Sequence, residues 1–165
     1  HELGHWHHHR GRQLACHAAG HSDPAGVGEA EREADCYAAS LLMPRFMMTP
    51  VVANTPMSMA LVHQVAERFR VSLLAAMLRL VDVHTGAFAV VVEEADGRRW
   101  FKRSAALDRR WFVWAPGPPE RSAGDSRTCP AVDWYRGADL GRRRMTYEMQ
   151  PLGGGCTMHL IGRPI

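Results

Sequence analysis

The chain has 165 residues, 46% of them hydrophobic, enough to bury a core without disulfides as one domain or two small, tightly connected ones. A net charge of +3 excludes the strongly basic balance usual in nucleic-acid binders, and no 18-residue apolar run marks a membrane span. Four scattered cysteines, Cys16, Cys36, Cys129 and Cys156, form no CxxC metal or redox motif and read as free buried thiols.

The first element is HELGHWHHHR, expected as a helix running from His1 toward Arg10. Positions i and i+4 of a helix share one face, so His1 and His5 can point at one ion. Neutral imidazole suits zinc, and Glu2, next to the first ligand, has the chemistry of a general base for the water that zinc activates. The further histidines His7, His8 and His9 read as a solvated helix end, with His9 one turn beyond His5.

A catalytic zinc needs a third protein ligand and an open position. The HExxHxxGxxH pattern does not supply it, because His8 and Gly11 stand where glycine and histidine are required. After a loop from Gly20 to Glu29, flanked by His17 and His21, a second helix is expected from near Glu29 to Pro44. Its apolar positions Ala34, Tyr37, Ala38, Leu41 and Leu42 recur at helical spacing. On it Glu31 and Asp35 are spaced i to i+4, with Glu31 the candidate ligand. Asp35 is the candidate partner for the other ring nitrogen of a ligand histidine, and Glu33 between them reads as a solvated charge.

Residues 56–82 read as helix, short turn, helix, with Ser72 as the N-cap of the second. AFAVVVEEADGRRWFKRS, from position 87, is a hairpin candidate turning at Asp96-Gly97. Beyond Pro116, RRMTYEMQP and CTMHLIG are strand-like. Trp100, Phe101, Trp111, Phe112 and Trp114 are expected in a core, His63 at the surface, and His159 has no evident partner. The expected class is therefore α+β: a helical, histidine-bearing zone over 1–50, a helix-turn-helix-like zone over 51–85 and a β-rich zone over 86–165.

HELGHWHHH followed by EREADCYAASLLMP resembles the ImmA/IrrE family of zinc metallopeptidases. Its second helix runs roughly E-x-x-A-[ND]-x-[FY]-A-x-x-L-L-M-P, matched here by Glu31, Ala34, Asp35, Tyr37, Ala38, Leu41, Leu42, Met43 and Pro44. VAERFRVSLLAAMLRLVDV, Val65 to Val83, is similar to the helix-turn-helix-like segment of many members, and the likeness extends to about residue 104. The resemblance implies a gluzincin-type peptidase with His1, His5 and Glu31 on Zn²⁺, Glu2 as base and Asp35 behind a ligand. It also implies a protein substrate, a helix-turn-helix transcriptional repressor often encoded nearby, and work in the cytoplasm. Members carry a segment ahead of HExxH, so the chain reads as N-terminally truncated.

Two rival functions are open at this stage. One is a non-catalytic regulator that binds DNA or a repressor, but SLLAAMLRLVDV offers only Arg79 among apolar residues and reads as made to pack, so direct DNA contact is not expected. The other is a histidine tract that stores or senses metal, which would not depend on Glu31. The runs Arg98-Arg99, Arg109-Arg110 and Arg142-Arg143-Arg144 read as solvated surface.

Overall fold

A computed structural model describes residues 1–8, 27–113, 127–137 and 139–165. The expectations for His9, Cys16, His17, His21, the loop over 20–26 and Trp114 fall outside the described residues. The described chain forms two compact units, 1–48 and 49–165, in an α+β architecture with the helices first and the strands after them.

In the first unit, α1 (Glu2–His8) packs on α2 (Val27–Leu42). Small residues make this possible: Gly4, Ala30 and Ala34 are buried. A Cβ on Gly4 would fall 2.7 Å from the Ala34 Cα and 2.9 Å from its carbonyl oxygen, so only glycine lets the two backbones meet there. The expected apolar face of α2 is buried only in part. Ala34 is inaccessible and Tyr37 half-buried, whereas Leu41 and Leu42 are 55% and 57% exposed. A seven-residue helix is only about 10 Å long, so α1 covers the middle of α2 and not its last turn.

Pro44 ends α2 as expected, yet its carbonyl accepts the Met47 and Met48 amides at 3.0 Å each and starts α3 (Arg45–Val52), a helix the sequence did not announce. In the second unit, α4 (Met59–Phe69) and α5 (Leu73–Val83) are each capped by a serine. Ser58 Oγ accepts from the Leu61 amide at 3.3 Å and Ser72 Oγ from the Ala75 amide at 3.1 Å. Arg70 takes a left-handed conformation (φ 52°) to turn the chain between them.

The strands are β1 (Phe88–Glu93), β2 (Arg99–Arg103), β3 (Phe112–Val113), β4 (Arg127–Pro130), β5 (Tyr135–Arg136), β6 (Arg144–Gly153) and β7 (Cys156–Gly162). Five form an antiparallel sheet in the order β2-β1-β7-β6-β4, and β3 pairs with β5 separately. The β1–β2 hairpin closes through the Gly97 amide on the Glu94 carbonyl (2.9 Å), with Gly97 at φ 82°. Its loop therefore has three residues rather than the two of a simple Asp-Gly turn. Gly154 and Gly155, at φ 59° and 79°, make the two-residue β6–β7 turn that needs positive φ twice.

Register divides the sheet into two faces. Lys102, Val90, Leu160 and Glu148 lie in one row across β2, β1, β7 and β6. That row meets the helices: Lys102 Nζ donates to Asp82 of α5 (2.8 Å), and the Met59 amide of α4 donates to Glu148 (2.8 Å). The opposite face carries Ala89, Val91, Ile161, Tyr147 and Met145, covered by Leu107, Trp111, Trp134, Tyr135 and Leu140. Trp111 is thus core as expected, but Phe101 is 49% exposed because it sits on the edge strand β2. Of the described cysteines, all free, Cys129 alone is fully buried; Cys36 is exposed and Cys156 intermediate.

Candidate metal centre

The His1 carbonyl accepts the Gly4 and His5 amides at 2.7 and 3.2 Å, which makes His1 the residue that starts α1. One turn then brings the His1 and His5 rings onto one face, centroids 4.6 Å apart and edge to face. The Gly4–Ala34 contact holds that face against α2, where Glu31 stands. Its two carboxylate oxygens divide between the histidines: Oε2 lies 2.9 Å from His1 Nε2 and Oε1 3.3 Å from His5 Nε2. The His5 side chain is only 10% exposed and forms the floor, while His1 and Glu31 are about one-third open to solvent.

These three residues each offer one ligand atom, all within 4.8 Å of one another. Among the described residues, no other group of three histidines, cysteines or acidic residues meets that spacing. Tetrahedral zinc with bonds of about 2.0–2.1 Å places neighbouring donors roughly 3.3 Å apart. The Glu31–His5 separation of 3.3 Å equals that spacing and the Glu31–His1 separation of 2.9 Å is slightly shorter, and the nitrogens facing Glu31 are the two Nε2 atoms. The donor set therefore fits a divalent metal of the zinc type.

Glu2 and Asp35 stand differently from the simple expectation. Glu2 Oε1 lies 3.4 Å from His1 Nδ1, on the side of the ring away from Glu31, and its side chain is 84% exposed. Asp35 Oδ1 lies 3.6 Å from His1 Nε2, the same nitrogen that Glu31 faces, and not beside Nδ1 where a supporting carboxylate was expected. One helical turn separates Glu31 from Asp35, so both carboxylates look down on the same edge of His1.

His7 and His8 are exposed, but they share a contact that the sequence did not reveal. His7 stacks on the Tyr37 ring at 5.3 Å and His8 meets it edge-on at 5.5 Å. Glu33 is exposed, as its position on α2 suggested.

The second unit holds one strongly perturbed histidine. His159 is buried on β7 between Trp134 (5.1 Å) and Tyr147 (5.9 Å), and the Tyr147 hydroxyl lies 2.9 Å from its Nδ1. Burial pushes its pKa down to about 4, against a weaker upward pull from Glu93, whose Oε2 is 3.8 Å from Nε2. His159, without an evident partner in the sequence, therefore belongs to an aromatic cluster. His63 is exposed and bonded to Gln150 at 3.0 Å.

Residues 1–81 match the peptidase M78 family model, described as the IrrE N-terminal-like domain. The matched stretch holds all the residues of the histidine–glutamate cluster and runs to α5, stopping short of the β-rich part. No curated protein matches the chain. Among the described residues, no helix is long and apolar enough to cross a membrane.

Proposed function

Residues 1–81 belong to the ImmA/IrrE metallopeptidase family, and from that membership we propose that this chain is a zinc-dependent endopeptidase. The observation that carries the reading is the Glu31 carboxylate spanning His1 Nε2 and His5 Nε2. Three protein donors with solvent on one side are what a hydrolytic zinc site requires, whereas a structural site is closed by four.

His1, His5 and Glu31 would hold the metal. When bound, zinc supplies Lewis-acid polarisation of a peptide carbonyl and brings the pKa of water toward neutrality. His5, packed at the floor, fixes the position of the site, and Glu31 carries the negative charge that offsets the cation. The Glu2 carboxylate, turned from His1 Nδ1 toward the Nε2 edge, would take a proton from the attacking water and return it to the leaving amine. Its exposure leaves it open to substrate. Asp35 bears on the Glu31 side of His1 and restrains that imidazole through charge.

The proposed substrate is a helix-turn-helix transcriptional repressor, cut in the cytoplasm, as the family resemblance implies. The burial of Ala76, Met77, Leu80 and Val81 supports the packing role of α5 over a DNA-reading one. The test is incubation of the zinc-loaded protein with a helix-turn-helix repressor encoded beside it, with new peptide termini read by mass spectrometry. Cleavage that stops in Glu2→Gln is expected; unchanged cleavage by that variant would overturn the reading.

A further inference from the structure

The net positive charge of the chain is not spread along it. Between positions 104 and 144 there are eight basic residues against five acidic ones, while the remainder has twelve of each. Seven of these basic residues and three of the acidic ones lie in the described stretches 104–113, 127–137 and 139–144.

How those arginines are held differs from the rest of the unit. On the β1–β2 hairpin three of the four basic side chains meet a carboxylate, Arg98 with Asp96 and Glu94, Arg99 with Glu93 and Lys102 with Asp82, while Arg103 donates to the Leu107 carbonyl. On the stretches that cover the sheet, neutral groups do most of the holding. Arg143 donates to the Asp139 carbonyl at 3.1 Å. Arg110 and Arg143 both place their guanidinium over the Trp111 ring, at 5.1 and 5.9 Å, so the two arginine runs meet at one point. Arg110 is also paired with Asp108. Arg109 and Arg142 are exposed, each next in sequence to one of the pair on Trp111. A guanidinium ordered by a neutral acceptor keeps its full charge and unused donors for an outside anion.

We propose that the arginine-bearing surface around Trp111, formed by Arg109, Arg110, Arg142 and Arg143, docks on the phosphate backbone of duplex nucleic acid without reading its sequence. Two observations choose this partner. Trp111 beneath Arg110 and Arg143 is buried with Leu107, Trp134, Tyr135 and Leu140, and among the described residues of this cover Val132, 39% exposed, is the one exposed large hydrophobic, a small surface for the hot spot that a protein partner needs. The exposed aromatic of this sheet face, Phe101, lies on the edge strand β2, away from β4, so stacking on unpaired bases has no platform among the described residues beside the arginines. Evenly spaced phosphates meet a patch of fixed charges with no such anchors. The surface is separate from α5, whose apolar residues remain a packing face.

Fluorescence anisotropy of a labelled random-sequence DNA duplex tests the proposal, with salt varied between about 50 and 200 mM. Each neutralised phosphate contributes a slope of about −0.9 in log K against log salt, so about four contacts give a slope of about −3.6. Arg109→Glu with Arg142→Glu, which breaks no hydrogen bond or ion pair among the described residues, weakens binding at least tenfold and flattens the slope by about two. Near-UV circular dichroism identical to the parent shows that the double variant folds. Arg98→Glu on the hairpin leaves binding within twofold, and a metal chelator changes nothing, so the outcome is separate from that of the peptidase reading. The proposal is overturned by no binding at the lowest salt, by equal loss in Arg98→Glu, or by displacement of the duplex by polyglutamate at equal charge.

Discussion

Gly4 rests against Ala34 with no room for a side chain between them: a Cβ at position 4 would come within 2.7 Å of the Ala34 Cα. This contact joins the helix that carries His1 and His5 to the helix that carries Glu31. It sets how far apart the two half-sites stand.

Gly4→Val therefore separates the half-sites while leaving every ligand in place. Overpacking of this kind costs about 1–3 kcal/mol, and a shift of 1 Å suffices to spoil a tetrahedral donor set. Zinc affinity is expected to fall at least tenfold in a competition titration, with helical circular dichroism near that of the parent. Parent-like affinity would show that the contact does not position the site.

Glu2→Gln separates binding from chemistry. Its side chain is 84% exposed and touches His1 Nδ1, not the Nε2 that faces Glu31. Zinc affinity should stay within about threefold of the parent, whereas peptide cleavage falls by at least 100-fold, the scale of a lost general base. Loss of zinc together with cleavage would make Glu2 a structural residue.

His159 gives the second unit a pH dependence of known sign. Its folded pKa of about 4 lies below the ordinary 6.5, so between those values the unfolded chain binds the extra proton and stability falls as pH is lowered. The expected loss from pH 7 to pH 4 is on the order of 2 kcal/mol from this group. Urea melts of the parent and His159→Phe across that range check it: the variant's curve should be flatter by about that amount. Equal slopes would mean that His159 is not buried neutral.

Ser72→Ala removes the hydroxyl that accepts the Ala75 amide at the start of α5. A loss of about 1 kcal/mol in thermal or urea unfolding is expected, the usual worth of such a cap. Ser58→Ala on α4 should cost a similar amount.

Much of this was readable from local spacing. Glu31, on another helix, was a candidate through its spacing to Asp35 and the family pattern, whereas that His1 and His5 share a face follows from i to i+4 geometry, a property of one helix alone. Ser72 was visible for the same reason, and the hairpin from its β-branched run and Asp-Gly turn. The rest depends on which elements meet. α3 escaped notice because Pro44 reads as a stop, while its carbonyl also begins the next helix. The role of Gly4 exists only where two backbones cross. Tyr147 is a diagonal neighbour of His159 across β6 and β7, known only once Met149↔His159 fixes the register. Which nitrogen of His1 Asp35 addresses is a matter of side-chain rotation, and periodicity says nothing of it.

A zinc titration against a chromophoric chelator, run on the parent and on Glu31→Ala, tests the central claim most directly. One zinc per chain is expected for the parent, with affinity lower by at least tenfold when Glu31 is removed and His7 and His8 are intact. Several zinc ions per chain, bound equally well without Glu31, would contradict the account and leave only a histidine-rich surface that collects metal.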